Sequence, residues 1–140
     1  MKKLISLLLV LALCFCICGC SKSDSITQAK ETINSFFTEF ENGNYDKMKK
    51  YCTENCVKQF FHESDFFGIK IAKLESISDE AYEGENENKI GFEAKIKVFQ
   101  WAEIHQDIYE ENESLTYILI MKRENNKWYI DNITTDSSEI

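Results

Sequence analysis

The sequence predicts an α+β domain in which N-terminal helices pack on a curved antiparallel sheet. Apolar residues in the first half of the chain recur at intervals of three and four, which is the period of an amphipathic helix. After Gly68 the pattern changes to the alternation that is typical of strands. Helices followed by a meander of strands favour the α+β class, with the helices on one face of the sheet.

The first 19 residues have the pattern of an export signal. Two lysines precede an apolar run over residues 4–18, shorter than the roughly 20 residues of a spanning helix. Residues 17–20 read ICGC, which resembles the bacterial lipoprotein signal: an aliphatic, a variable and a small residue before a cysteine. The resemblance implies a lipid on Cys20 and anchoring, through its acyl chains, on the outer face of the cell membrane. An ordinary secretory signal or an uncleaved anchor is the alternative.

The mature chain is expected to be one acidic domain. The predicted division is a signal over residues 1–19, a lipidated cysteine and short linker over 20–25, a domain over 26–135 and a tail over 136–140. Loss of the two lysines of the signal changes the formal charge from −8 to −10. Such a surface repels phosphate backbones, so we expect no nucleic-acid partner and a membrane link through Cys20 alone.

Cys52 and Cys56 are the thiols that remain after export. In an exported protein such a pair is a candidate disulfide. In a continuous helix their spacing gives a Cα separation near the upper limit for a disulfide, and a break at Thr53 would make closure easier. Two buried free thiols are the alternative, because a disulfide that closes so short a loop gives the folded protein little entropic stabilisation. No further soft ligand lies close in sequence, so no metal is predicted here.

Three helices are expected before the sheet. The first begins at Ser25, with a glutamine three residues later at capping-box spacing, and ends at Asn-Gly-Asn over residues 42–44. A second helix covers residues 45–52 with Asn44 as its cap. Thr53 then caps a third, short helix.

Four main strands are expected after the helices. Residues 69–77 form the first, with one irregularity, and residues 89–105 form the longest. In that strand the alternation slips at Phe99, as it does at a β-bulge. Residues 115–121 are apolar on both faces, which predicts a central strand that is covered on both sides. The last strand covers residues 128–134.

The chain resembles NTF2-like (cystatin-like roll) domains, especially small bacterial lipoproteins of uncharacterised function. The features are the long first helix, the run GNYDKM at 43–48 and the ending NKWYIDNI at 126–133. The resemblance covers residues 26–135 and implies a cone-shaped pocket between the helices and the concave sheet. It also implies a possible homodimer through the sheet. A compact connection to the long strand implies that one strand of the usual roll is short or missing.

Six aromatic residues are candidates to line the implied pocket; the alternative is that they form plain core, as apolar stripes usually do. They are Phe36, Phe40, Phe92, Trp101, Tyr117 and Trp128. Enzymes with this fold use a pocket Asp or His as a base beside a hydrogen-bond donor. The residues of these types here are Tyr51, Tyr117, Tyr129 and Asp131. No local motif pairs them, so neither a catalytic residue nor a cofactor is predicted.

Two polar features contain residue types that bind metal ions. His62 lies beside Glu63 and Asp65, which is a fragment of metal-site chemistry but also a common chance arrangement. The acidic loops over residues 79–88 and 107–113 lack the calcium-loop pattern, and a meander places them at opposite ends of the sheet. We therefore interpret both loops as solvated turns and predict no metal.

Three functional hypotheses follow. The first is a membrane-tethered, extracytoplasmic binding or protein-interaction module without an enzymatic role, whose partner is unknown. Its candidate contact surface is an apolar patch near the second acidic loop. The patch consists of Trp101, Ile104, Ile108 and Tyr109. The second is a small-molecule carrier or an isomerase- or dehydratase-like pocket protein, which a cone plugged by aromatic side chains would count against. The third is a redox accessory that uses Cys52 and Cys56.

Overall fold

The computed structural model describes residues 21–136. The predicted export signal, Cys20 and the end of the predicted tail lie outside the described residues. The helices are α1 (Lys22–Glu41), α2 (Tyr45–Met48), which continues into a 3₁₀ turn (Lys49–Tyr51), and α3 (Glu54–Phe60). The strands are β1 (Phe61–His62), β2 (Asp65–Phe66), β3 (Ile69–Ile77), β4 (Tyr82–Glu83), β5 (Lys89–Trp101), β6 (Glu113–Glu124) and β7 (Lys127–Thr134).

The first helix begins one turn earlier than the sequence predicted. Ser21 caps it, because its Oγ accepts a hydrogen bond from the Asp24 amide at 3.2 Å. The Asp24 carboxylate accepts the Ser21 amide in return at 3.3 Å, which completes a capping box. The prediction of a start at Ser25 is wrong, since this pair offers the same capping chemistry one turn before it. Residues 22–25 are therefore helical.

The second helix is shorter than predicted, and the third begins as predicted. Cys52 adopts an extended conformation, with φ −115° and ψ 152°, so the helical stretch ends at residue 51. Thr53 caps α3, and its Oγ1 accepts a hydrogen bond from the Cys56 amide at 3.2 Å. Asn44 makes no side-chain cap on α2. The side-chain amide of Asn44 instead donates a hydrogen bond to the Glu39 carboxylate at 2.7 Å.

The strands form one open antiparallel sheet in the order β1-β2-β3-β5-β6-β7, with β4 paired to β5. Along consecutive pairings with β3, β5 advances from Val98 to Gln100. Phe99 is thus an extra residue, and the predicted bulge is confirmed. The strand ends at Trp101 instead of continuing to residue 105, because a 3₁₀ turn (Glu103–His105) follows it.

The central strand is β6, as predicted, since it lies between β5 and β7. Its residues 117–121 are all buried, so both faces of the strand are covered there. Tyr117, Leu119 and Met121 belong to the core beneath the helices. The helices and sheet thus give the predicted α+β architecture. No helix within residues 21–136 is both long enough and apolar enough to cross a membrane.

Candidate functional site

The concave side of the sheet is filled by aromatic side chains. Phe36 and Phe92 are fully buried, and Phe40 is 1% exposed. Phe66 enters from the β1–β2 hairpin and packs edge-to-face on two of them. Its ring centroid lies 5.1 Å from that of Phe36 and 5.8 Å from that of Phe40. The sequence left open whether these aromatic residues line a pocket or form core. In the structure Phe36, Phe40 and Phe92 form core.

The other three predicted lining residues lie at two separate places in the domain. Trp101 and Tyr117 lie near the turn between β2 and β3, where Tyr117 packs on Phe67 with ring centroids 5.5 Å apart. Burial, together with nearby Tyr109 and Glu113, raises the pKa of Tyr117. Trp128 lies beneath the first turns of α1, where it borders two clefts. The six aromatic residues do not line one shared cavity.

The candidate acid–base residues are also separated. Asp131 accepts a hydrogen bond from the Thr53 hydroxyl at 2.6 Å, which ties the cap of α3 to β7. Tyr51 and Tyr129 border an open groove between α1 and β7, and Tyr117 lies elsewhere. The carboxylate of Asp131 is thus hydrogen-bonded to Thr53 and not to any of the three tyrosine hydroxyls.

His62 and Asp65, which the sequence suggested as part of a metal site, lie in the hairpin of β1 and β2. His62 Nδ1 lies 3.0 Å from Asp65 Oδ1, and the same carboxylate oxygen accepts the Gly68 amide at 2.9 Å. Within residues 21–136 no three or more side chains of His, Cys, Asp or Glu are grouped so that they could hold a metal ion. The contacts of this fragment are those of a turn that supports β1 and β2.

Cys52 and Cys56 are buried free thiols. The break predicted at Thr53 is present, and the Cys52 thiol donates a weak hydrogen bond to the Met48 carbonyl at 3.7 Å. Interaction with the Cys56 thiol, together with burial, raises the pKa of the Cys52 thiol. Because the thiolate is the reactive form, reduced Cys52 is a poor nucleophile at neutral pH.

The second acidic loop builds an exposed apolar surface, which we call the distal ledge and define as Ile104, Ile108 and Tyr109. The exposed fractions of these side chains are 77%, 69% and 45%, respectively. Tyr109 stacks on Trp101 with ring centroids 4.6 Å apart. Trp101 Nε1 in turn donates a hydrogen bond to the Glu110 carbonyl at 3.1 Å. The loop is therefore fixed by a buried tryptophan while its isoleucines face solvent.

The close approach of the loop to the β2–β3 turn also requires a glycine. Gly68 has a φ of +75°, and a Cβ at this position would lie 2.6 Å from Cδ2 of His105. The Gly68 carbonyl accepts the amide of Ala102, the residue at which the loop begins, at 2.9 Å. These contacts hold the base of the distal ledge against the sheet.

The distal ledge and the start of α1 lie at opposite ends of the domain. Lys22 forms an ion pair with Glu83 at one end. At the other end the Tyr45 hydroxyl donates to the Lys70 carbonyl, and Lys70 Nζ lies 3.7 Å from the Glu103 carboxylate. The 20 residues of α1 separate these ends by about 30 Å. The prediction that the two acidic loops lie at opposite ends of the sheet is confirmed.

A second feature, which we call the proximal cleft, opens beneath the first turn of α1 and has a volume of about 560 Å³. Its apolar lining includes Ile26, Ile90 and Trp128, and its charged rim includes Lys22, Glu83 and Arg123. Sequence reasoning missed this cleft. A signal was present, because Arg123 is the only arginine in the chain.

Comparison with known proteins identifies the fold. No protein-family model matches the sequence, and no curated protein does. A solved structure described as an NTF2-like protein involved in plasmid conjugation is 10% identical, with a TM-score of 0.54 over 84% of this chain. This chain spans only 41% of the length of that protein. An NTF2-like protein of unknown function from Shewanella oneidensis MR-1 is 9% identical over 80% of this chain and all of the other, with a TM-score of 0.45.

At 10% sequence identity, the similarity to the plasmid-conjugation protein concerns the fold alone. Helices on a curved, open antiparallel sheet and a matching solved structure agree with the architecture implied by the sequence. Because this fold carries many unrelated activities, function has to be argued from the surfaces of this chain. The chain has an NTF2-like fold.

Proposed function

We propose that this chain is a membrane-anchored extracytoplasmic lipoprotein that acts as a protein-interaction module through the distal ledge. The observation that carries the proposal is the exposure of two isoleucines on a loop fixed by the stack of Tyr109 on Trp101. Contiguous exposed apolar surface rimmed by polar residues is typical of interaction sites.

The charges around the distal ledge indicate the chemistry of its partner. Residues 103–113 contain five carboxylates and neither lysine nor arginine. Across an interface, potentials of opposite sign steer association and favour the correct partner. The partner surface that fits is therefore an apolar contact surrounded by basic groups.

The filled cone supports an interaction role over acid–base chemistry inside the cone. Phe36, Phe40 and Phe66 occupy the space in which a substrate would lie. Asp131 is engaged by Thr53 and sits at the pairing irregularity of β7. An isomerase- or dehydratase-like role would require a reacting group facing an open cavity.

Anchoring at Cys20 rests on the ICGC motif and on the short apolar run before it. Labelling of the full-length chain with radioactive palmitate in cells is expected to be lost in Cys20→Ala and retained in Cys18→Ala. Equal labelling of the two variants would contradict lipidation at Cys20.

The test of the contact surface is site-specific photo-crosslinking of the full-length chain in cells. A photoreactive amino acid replaces Ile108, and the control carries it at Lys58, an exposed position on α3. We expect one discrete crosslinked protein from position 108 and none from position 58.

Matched variants separate the distal ledge from general surface effects. Ile104→Ser, or Glu110→Lys with Glu111→Lys, is expected to reduce the crosslink. Tyr82→Ser alters an exposed large side chain on β4 and should leave it unchanged. An undiminished crosslink after both the apolar and the charge changes would rule out the distal ledge as the contact surface.

A further inference from the structure

The proximal cleft is a second candidate site, which the proposed interaction role does not use. It lies between the first turn of α1, the segment after β4 and the hairpin of β6 and β7. Its volume of about 560 Å³ falls within the range of small-molecule sites, roughly 300–1,000 Å³. It adjoins Ser21, at the end of the domain opposite the distal ledge.

Arg123 is the residue that gives this cleft its chemistry. It pairs with Trp128 across the β6–β7 hairpin, and Trp128 is 3% exposed beneath α1. The two residues share the concave face of the sheet, so the guanidinium lies at the mouth of the cone. Arg123 is half-buried and lines the cleft.

The guanidinium has spare hydrogen-bonding capacity. Of its five donors, Nη2 makes a long hydrogen bond of 3.3 Å to the Asn126 side chain. Within residues 21–136 Arg123 forms no ion pair, whereas Lys22 on the same rim pairs with Glu83. A partly buried positive charge without a counterion favours binding of an anion.

An arginine at this position favours anions that accept two parallel hydrogen bonds. The chain has 16 basic residues, and Arg123 is the single arginine among them. The planar fork of a guanidinium matches a carboxylate or phosphate group through two parallel hydrogen bonds, which an ammonium group does not provide. The charged residues that line the cleft are Lys22, Glu83, Glu87, Lys89 and Arg123. The ion pair of Lys22 with Glu83 neutralises one of the two carboxylates, so the cations of the lining outnumber the carboxylates.

The lining of the cleft adds an apolar requirement. Ile26 and Ile90 are half-buried and border the cleft together with Trp128. The indole Nε1 of Trp128 is buried and has no hydrogen-bond partner within the described part of the chain. A ligand for this cleft therefore combines an oxyanion with an apolar body.

We propose that the proximal cleft binds a small amphipathic molecule whose carboxylate or phosphate group pairs with Arg123 and whose apolar part packs against Ile26, Ile90 and Trp128. A free amphiphile and the phosphate of a membrane lipid with a net negative headgroup share this chemistry. The position of the cleft beside Ser21 places it next to the proposed anchor, so both sources are within reach.

The test uses the full-length chain in small nanodiscs of phosphatidylcholine and follows the two tryptophan indole N–H signals by NMR. Hexyl phosphate and hexanoate are titrated separately, and a second preparation contains phosphatidylglycerol without either probe. We expect the Trp128 signal to shift in at least one arm while the Trp101 signal, at the other end of the domain, stays in place. A shift with a soluble probe identifies a free amphiphile, and a shift with phosphatidylglycerol alone identifies a lipid headgroup.

Variants establish whether Arg123 and the cleft are responsible. Arg123→Gln is expected to weaken binding about tenfold or more, because a charge-assisted bidentate contact is lost. Lys127→Gln removes the same charge from an exposed position four residues away and should have no comparable effect. Ser25→Phe fills the cleft without removing a charge, so it should also abolish the shift.

Two results would overturn the proposal. One is an unshifted Trp128 signal in all three arms. The other is equal affinity in Arg123→Gln and the unmodified chain. If Arg123→Gln loses its dispersed spectrum, Ser25→Phe decides the question alone, since unchanged binding in that variant places the ligand outside the cleft.

Discussion

Cys52 and Cys56 both lie in the core, and the surroundings of Cys52 govern its protonation. Interaction with Cys56 and burial raise the pKa of Cys52 above its ordinary value of 9.0. As pH rises through that ordinary value, the thiol of the unfolded chain ionises while the folded one stays neutral. The unfolded state then binds fewer protons, so the stability due to the neutral thiol is complete below about pH 9 and declines above it.

We therefore predict a difference in alkaline stability between the reduced protein and Cys52→Ala. Above about pH 9 the free energy of unfolding of the unmodified protein should fall more steeply, by about 1.4 kcal/mol per pH unit. Urea denaturation at several pH values under reducing conditions measures both slopes. Parallel curves would show that Cys52 titrates alike in the folded and unfolded states.

At the scale of single residues, spacing predicted the break at Thr53 but not the partner of Asp131. A helix cap is a local signal, because the side chain and the amide that it accepts lie three residues apart. The hydrogen bond from Thr53 to Asp131 joins residues 78 positions apart, and only the packing of α3 on β7 brings them together. The role of Asp131 therefore could not be derived from its neighbours in sequence.

At the scale of elements, α3 depends on Thr53 for two contacts. Its Oγ1 accepts the Cys56 amide and donates to Asp131. We predict that Thr53→Val lowers the free energy of unfolding by about 2–3 kcal/mol, since it removes the cap and leaves the Asp131 carboxylate without this donor.

Thr53→Ser is the matched control for this prediction. It keeps the hydroxyl and should cost about 1 kcal/mol or less, the value of one buried methyl group. Urea denaturation measures both variants. Equal losses in Thr53→Val and Thr53→Ser would attribute the effect to packing rather than to the two hydrogen bonds.

The bounds of elements were predictable where the signal is local and unique. Phe99 interrupts a strict alternation, so the bulge was visible in the sequence. The start of α1 was misplaced because Ser21 and Ser25 both have a suitable side chain three residues later. The end of β5 was misplaced because Ile104 continues an apolar pattern, although it belongs to a 3₁₀ turn that exposes it to solvent.

At the scale of the whole molecule, the packed cone joins the helices to the sheet. Phe36 touches the rings of Phe37, Phe40 and Phe66. We predict that Phe36→Ala lowers the free energy of unfolding by about 3–5 kcal/mol, because it removes buried contacts and leaves a cavity. Thermal denaturation measures the loss.

Phe99→Ala provides the comparison, since Phe99 is half-buried at the bulge. It should cost clearly less than Phe36→Ala. If Phe36→Ala lowered the free energy of unfolding as little as Phe99→Ala, a cavity in the cone would cost little stability. That result would favour a pocket in the cone.

Whether an aromatic stripe forms core or lines a pocket is a property of the whole molecule. Phe36 and Phe40 face the sheet in either case, and the outcome depends on Phe66, which arrives from a short hairpin 26 or more residues away. The distal ledge was predictable, because its apolar residues lie within one acidic stretch. The proximal cleft was not, since its lining comes from four separate segments of the chain.

The capping box at Ser21 has a consequence for any protease that acts just before Cys20. That bond is two residues from the first helical residue of α1. A protease that requires an extended chain on the C-terminal side of this bond would have to open the Ser21–Asp24 box. It would also have to break the ion pair of Lys22 and Glu83, so the first turn of α1 and the edge of the proximal cleft would open together.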